Sequence, residues 1–296
     1  MLPDFLGIGV AKCGTTWLHE LLGTHPDVYV PMKRKEIGYF NKKFDRPIEW
    51  YESYFPPGRH AGQYRAVGEI APQYWGVHIP QRLTTVESIK RLIVMFRDPV
   101  DRIYSHYWWI RRIRKYSGSF EHFLEQPGGV NALEAGEYRR ILDEYLRFFE
   151  REQLLVLIFE RTFADVDAAK GQVAQFLQID VDRFPTDAGK AVVNQRMMVK
   201  HDQAYRRVRR VGRALRQMGL DSLTSSVKRM GIERLFGARK LTIEPMNQNT
   251  RRQLQGHYAA DIDRLESLLG TDLSCWSSRG KQATATEPHL HTDGHG

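Results

Sequence analysis

Eight residues near the start of the chain, Gly9-Val10-Ala11-Lys12-Cys13-Gly14-Thr15-Thr16, have the types and spacing for anion chemistry. They approach the phosphate-loop pattern G-x-x-x-x-G-K-[ST]. Gly9, Gly14 and Thr16 hold their places, but Thr15 stands where that pattern has its lysine, and Lys12 comes three residues earlier. A glycine-spaced turn between a strand and a helix aims backbone N–H groups at an anion, helped by the positive end of the helix dipole. Gly9, Gly14 and the hydroxyls of Thr15 and Thr16 suit that task.

A second anion site is legible further on. Arg97 closes the apolar run RLIVMF, and Ser105 follows eight residues later. A guanidinium fork with a nearby hydroxyl suits a phosphate. A triphosphate enzyme also needs magnesium, usually held by an acidic residue at a strand end. Asp98 is better explained as a helix N-cap, with Pro99 at the first helical position. Two anion sites without an obvious metal carboxylate fit a nucleotide phosphorylated at both ends, and no metal is called for.

The elements that must position these groups follow from periodicity. Residues 4–10 and 91–96 are short apolar runs that read as buried strands, with 65–70 and 154–159 as two more. Helical patterns cover about 15–26, 98–115, 119–126, 136–151, 164–177 and a last stretch from Thr250. Alternating strands and helices predict an α/β fold with a central parallel sheet flanked by helices.

The chain has 296 residues, 42% hydrophobic and 27% charged, and can bury a sizeable core. Its two cysteines, Cys13 and Cys275, make no disulfide framework. No apolar run reaches the roughly 18 residues of a membrane span, and the start lacks a secretory signal. The sequence therefore reads as cytoplasmic, or resting on a membrane surface. The net charge of +9 is local: residues 200–240 carry twelve Lys/Arg against three Asp/Glu, and the remainder balances. Ala204, Val208, Val211, Leu215 and Met218 form one apolar stripe there, with arginine around it. That predicts a basic helical insertion over 196–240, either docked on the core or contacting an anionic acceptor, polyanion or membrane. Residues 1–276 read as one domain, and 277–296 as a disordered tail.

The stretches AKCGTTWLHELLGTHPDVYVP, KEIGYF and RLIVMFRDPVDRIYSHYWW together resemble sulfotransferases that use 3′-phosphoadenosine 5′-phosphosulfate. The pattern is most similar to heparan sulfate N- and 3-O-sulfotransferases and related bacterial enzymes. The resemblance covers about residues 4–185 and, more weakly, the last helix. It implies a P-loop nucleotide-kinase-like fold and sulfation of a hydroxyl or amine, with a glycan or glycoconjugate acceptor. It implies Lys12 at the bridging oxygen of the donor, with Cys13, Gly14, Thr15, Thr16 and Trp17 around the 5′-phosphate and Arg97 and Ser105 on the 3′-phosphate. Glu36 falls where such enzymes place a general base, with Glu69 as the second choice. Arg239, in the stretch FGARK, falls where a basic loop closes over the donor. One departure stands out: in GEIAPQYW, Ile70 occupies a position where relatives often carry lysine, and Lys33, Arg34 and Lys35 are the nearby cations.

Two other readings fit parts of the pattern. A P-loop kinase would use the loop with magnesium and ATP. A non-catalytic binding module would use the basic segment on nucleic acid or membrane, with Trp75, Trp108 and Trp109 as stacking platforms or simply as core and pocket walls.

Overall fold

The computed structural model describes residues 1–57, 62–190 and 244–276, and the backbone of two further strands at 197–199 and 238–240. Five strands form one sheet: β1 (Phe5–Gly9), β2 (Val28–Tyr29), β3 (Ala66–Ile70), β4 (Arg91–Phe96) and β5 (Leu154–Ile158). Their order is β2-β3-β1-β4-β5, and every pairing is parallel. Phe5 of β1 lies between Gly68 of β3 and Arg91 of β4. The run of buried residues in β1 and β4 is what a strand covered on both faces requires.

Helices fill the connections: α1 (Thr15–Gly23), α2 (Tyr39–Lys42), α3 (Ile48–Glu52), α4 (Ile79–Leu83), α5 (Pro99–Arg114), α6 (Phe120–Glu125), α7 (Pro127–Glu134), α8 (Tyr138–Leu146), α9 (Phe159–Ala164) and α10 (Val166–Leu177). The last described helix, α11, spans Gln248–Leu269. The main core joins the sheet to α1, α8 and α10, and includes Leu265, Leu273 and Trp276 from the chain's far end. A second cluster, around Ile103, Tyr107, Phe123, Leu254 and Tyr258, welds α5, α6 and α11. Each large apolar side chain so buried contributes roughly 1.5–3 kcal/mol. Among the described residues no helix is long and apolar enough to cross a membrane.

The expected elements of the sheet appear within a residue or two. Asp98 caps α5 as expected, accepting from the N–H groups of Val100 and Asp101 at 2.8 and 3.3 Å. The helix expected over about 164–177 appears as α10, capped by the Asp165 side chain through the N–H of Ala168; the short α9 just before it was not expected. α7 was not visible in the periodicity, because Gly128 and Gly129 are poor helix formers and only Pro127 marks the start. The basic stripe from Ala204 to Met218 and the tail from Ser277 lie outside the described residues. At the edges of that basic stretch, β6 (Met197–Val199) and β7 (Ala238–Lys240) pair antiparallel.

The strand order decides where a ligand can sit. After β1 the chain crosses toward β2 and β3; after β4 it crosses to β5 on the other side. The two loops part above neighbouring strands, and at such a point an open α/β sheet usually takes its ligand in a crevice at the strands' carboxyl ends.

Candidate active site

The loop after β1 fills one side of that crevice. Lys12 (φ 77°) and Gly14 (φ 98°) both take left-handed backbone, which turns the chain sharply into α1. Gly14 is needed there: its φ strains any side chain, and an added Cβ would also crowd Met95, Phe163 and Phe159. Gly9 is needed for approach, since a Cβ would come within 2.7 Å of Trp75 Cβ. The first bond of α1 runs from Leu18 N to Gly14 O, at 3.2 Å. No side chain among the described residues caps the helix. The N–H groups of Thr15, Thr16 and Trp17 therefore open its N-terminus, where an anion is favoured.

Arg97, the first residue after β4, forms the other side. Its Nη1 reaches the Lys12 carbonyl at 3.4 Å, and its guanidinium stacks 4.6 Å from the centre of the Phe159 ring. Its Nε is buried with no hydrogen-bond partner among the described residues. A cation held by its flanks with a donor left over is poised for an anionic ligand. Ser105 lies on α5, half-buried, one helical turn before Trp109. The Lys12 ammonium lies 6.0 Å from the centre of the Trp109 ring. Nearby His106 is pushed down to about 4 by burial first, then by the positive charges of Arg102, Lys12 and Arg114. The loop, Arg97 and the Trp109 face of α5 thus converge on one crevice.

Two of the expected contact residues have their side chains in the core. The Cys13 thiol is buried, 3.8 Å from the Tyr138 hydroxyl, and desolvation raises it to about 11. Its N–H is taken by the Val10 carbonyl at 3.1 Å, so Cys13 has nothing left to donate to a ligand. The Trp17 indole is likewise core: its Nε1 donates to Gly189 O at 2.9 Å, and its ring packs edge-on against Phe163. Only its backbone N–H faces the loop's task. Trp75 is also a core residue, stacked on Tyr145. Arg239 falls in β7, and its side chain lies outside the described residues.

The segment 35–37 brings carboxylate chemistry to the same loop. Lys35 Nζ donates to Thr16 Oγ1 at 3.0 Å and lies 3.8 Å from Glu36 Oε1. Glu36 itself is exposed. Ile37 is pinned at both ends: its N–H donates to Glu69 Oε2 at 3.1 Å, and its carbonyl accepts from Lys43 Nζ at 2.9 Å. Glu69 is wholly buried near the carboxyl end of β3, and its other oxygen accepts from the hydroxyls of Tyr51 and Tyr74. The second-choice base is therefore a buried anchor, with its oxygens committed. Sequence reasoning missed Tyr51, Tyr74, Phe159 and Tyr138 as supports of the site. The one available signal was that Phe159 follows a strand's carboxyl end.

Burial raises the Glu69 carboxyl to about 7, against the lowering effect of its hydrogen bonds. Its folded pKa lies above the unfolded value, so the native state binds the proton more tightly. The resulting stability is complete below about pH 4.5 and is lost as pH rises through 7, by up to about 3 kcal/mol. Glu69→Gln cannot titrate. The variant is expected to be less stable than wild type at pH 5, with the gap narrowing by pH 8 in urea denaturation. A gap that is constant or widens with pH would show that Glu69 is already ionised when folded at pH 5.

A family model for the sulfotransferase domain matches residues 2–207. The chain is 35% identical over 137 residues to the membrane-associated sulfotransferase kil1 of Dictyostelium discoideum, a match covering 44% of this chain and 29% of that protein. It is 32% identical over 184 residues to human heparan sulfate glucosamine 3-O-sulfotransferase 3B1, covering 60% of this chain and 46% of that one. It thus spans less than half the length of each of these two relatives. A solved sulfotransferase from Alicyclobacillus acidocaldarius matches 93% of this chain and 99% of its own, with a TM-score of 0.66 at 24% identity, which is a likeness of fold.

Proposed function

Given that the chain belongs to the sulfotransferase domain family, we propose that it moves the sulfuryl group of 3′-phosphoadenosine 5′-phosphosulfate to a hydroxyl or amine of a glycan or glycoconjugate. The observation that carries this reading is the pair of anion cradles on neighbouring strands. One is the start of α1, which no side chain caps among the described residues, and the other is Arg97, whose Nε has no hydrogen-bond partner among them. A nucleotide with phosphate at both ends of its ribose matches two such cradles. The heparan sulfate relative supports a sugar acceptor.

In this reading Glu36 takes the proton from the acceptor as its oxygen or nitrogen attacks sulfur. The new bond to sulfur forms as the bond from sulfur to the bridging oxygen breaks, and that electron pair leaves on the 5′-phosphate. The products are the sulfated acceptor and adenosine 3′,5′-bisphosphate. Lys12, the α1 amides and the Thr15 and Thr16 hydroxyls stabilise the charge that grows on the leaving phosphate. The sulfuryl group in transfer carries less negative charge than a phosphoryl group, so protein cations suffice for the clamp. The basic segment over 200–240 remains, in this proposal, a contact for an anionic acceptor or surface.

Calorimetry in EDTA tests the donor. Wild-type protein should bind adenosine 3′,5′-bisphosphate well and adenosine 5′-monophosphate less tightly. Arg97→Ala should weaken the bisphosphate by about 10- to 100-fold, the worth of a charge-assisted hydrogen bond, and barely change the monophosphate. Equal losses for both nucleotides would remove Arg97 from the 3′-phosphate. Binding only of ATP with magnesium would favour the kinase reading.

A further inference from the structure

We propose that Lys35 is a second cation of the donor site, which seats the Thr16 hydroxyl for the 5′-phosphate and ties it to the Glu36 carboxylate; this rests on the sulfotransferase reading. An ammonium group only donates, so at 3.0 Å the Thr16 oxygen must accept from Lys35. A hydroxyl has one proton, and Lys35 leaves that proton for another acceptor. Thr16 lies in the first turn of α1, beside the open N–H groups that favour an anion. Lys35 therefore does two things at once. It orients a donor toward the phosphate, and it sets a full positive charge about 3 Å from that oxygen.

The charge is needed, because Thr15 stands in the loop's usual lysine position and Ile70 is apolar. Ile70 is fully buried, and its side chain lies over Gly7. The neighbouring cations do not serve. Lys33 is exposed, and Arg34 donates to the Tyr54 hydroxyl at 2.8 Å beside the Trp50 ring. Lys35 alone of the three reaches the loop, because the next residue but one, Ile37, is held by Glu69 and Lys43. Burial lowers the Lys35 pKa, against the opposing pull of the facing carboxylates Glu36 and Glu20; the other titratable group facing it, His19, is held neutral by burial first and then by the Lys35 charge. Lys35 is only partly exposed, so water screens its charge less than at an open surface.

The test is calorimetry with adenosine 3′,5′-bisphosphate on Lys35→Met, Lys35→Arg, Thr16→Val and the Lys35→Met/Thr16→Val double variant. Lys35→Met should bind about 10- to 100-fold more weakly than wild type. Lys35→Arg, which keeps the charge, should recover most of the loss. The double variant should be little worse than the weaker single variant, because the two residues act as one unit. The proposal fails if Lys35→Met binds within twofold of wild type, if Lys35→Arg loses as much as Lys35→Met, or if the two losses add. In those cases wild-type binding, with its selective loss in Arg97→Ala, leaves the sulfotransferase reading standing. Wild-type protein that does not bind the bisphosphate overturns both.

Discussion

Lys12→Ala should lower turnover by about two to four orders of magnitude and leave the thermal midpoint within a few degrees of wild type. The size of the effect follows from where the charge lies. Lys12 is a cation of the loop itself, and its ammonium lies over the crevice beside Trp109. In the proposed reaction a full negative charge develops on the leaving phosphate, so a fixed positive charge is worth more in the transition state than in the ground state. Stability should hold, because Lys12 is partly exposed and its carbonyl, which accepts from Arg97, is backbone. Alanine inherits the same left-handed φ as lysine and adds no new strain. Lys12→Gly is the useful companion: it relieves that strain, and it should lose turnover just as badly. Near-normal kcat in either folded variant would falsify the assignment.

Glu36→Gln should abolish most transfer, by about two to four orders of magnitude, while adenosine 3′,5′-bisphosphate binds within about twofold of wild type. Glutamine keeps the shape of the side chain but cannot take the acceptor's proton. The carboxylate is exposed and next in chain to Lys35, so an acceptor can reach it from solvent. Its backbone is not loose, since Ile37 is anchored from both sides. The same substitution at Glu69 separates the two carboxylates. Glu69→Gln should alter stability and its pH dependence, and any loss of transfer should track displacement of segment 35–37. A Glu36→Gln enzyme that transfers sulfate at the wild-type rate would place the base elsewhere.

What the amino-acid sequence determined by itself is local. The apolar runs at 5–9 and 91–96 specify buried strands, because alternation is absent and the runs are short. Asp98-Pro99 specifies the start of α5, because the Asp98 side chain accepts from the N–H groups of Val100 and Asp101, and Pro99 has no N–H to leave unpaired in the first turn. The Gly9 and Gly14 spacing specifies the sharp turn from β1 into α1, since it works within one turn of chain. Only the tertiary structure decided what meets across the chain. The loop of β1 and Arg97 of β4 share a crevice because those strands are neighbours, and a parallel pairing leaves no short-range signature. Cys13 and Trp17 look like ligand contacts by position, but packing against Tyr138, Gly189 and Phe163 commits them to the core. Glu36 and Glu69 are the same residue type; the hydroxyls of Tyr51 and Tyr74 and the loss of water make one an anchor and leave the other open. Lys33, Arg34 and Lys35 were equivalent as letters. The fixed ends of Ile37 single out Lys35 for Thr16, because a contact nineteen residues apart is set by packing and not by period.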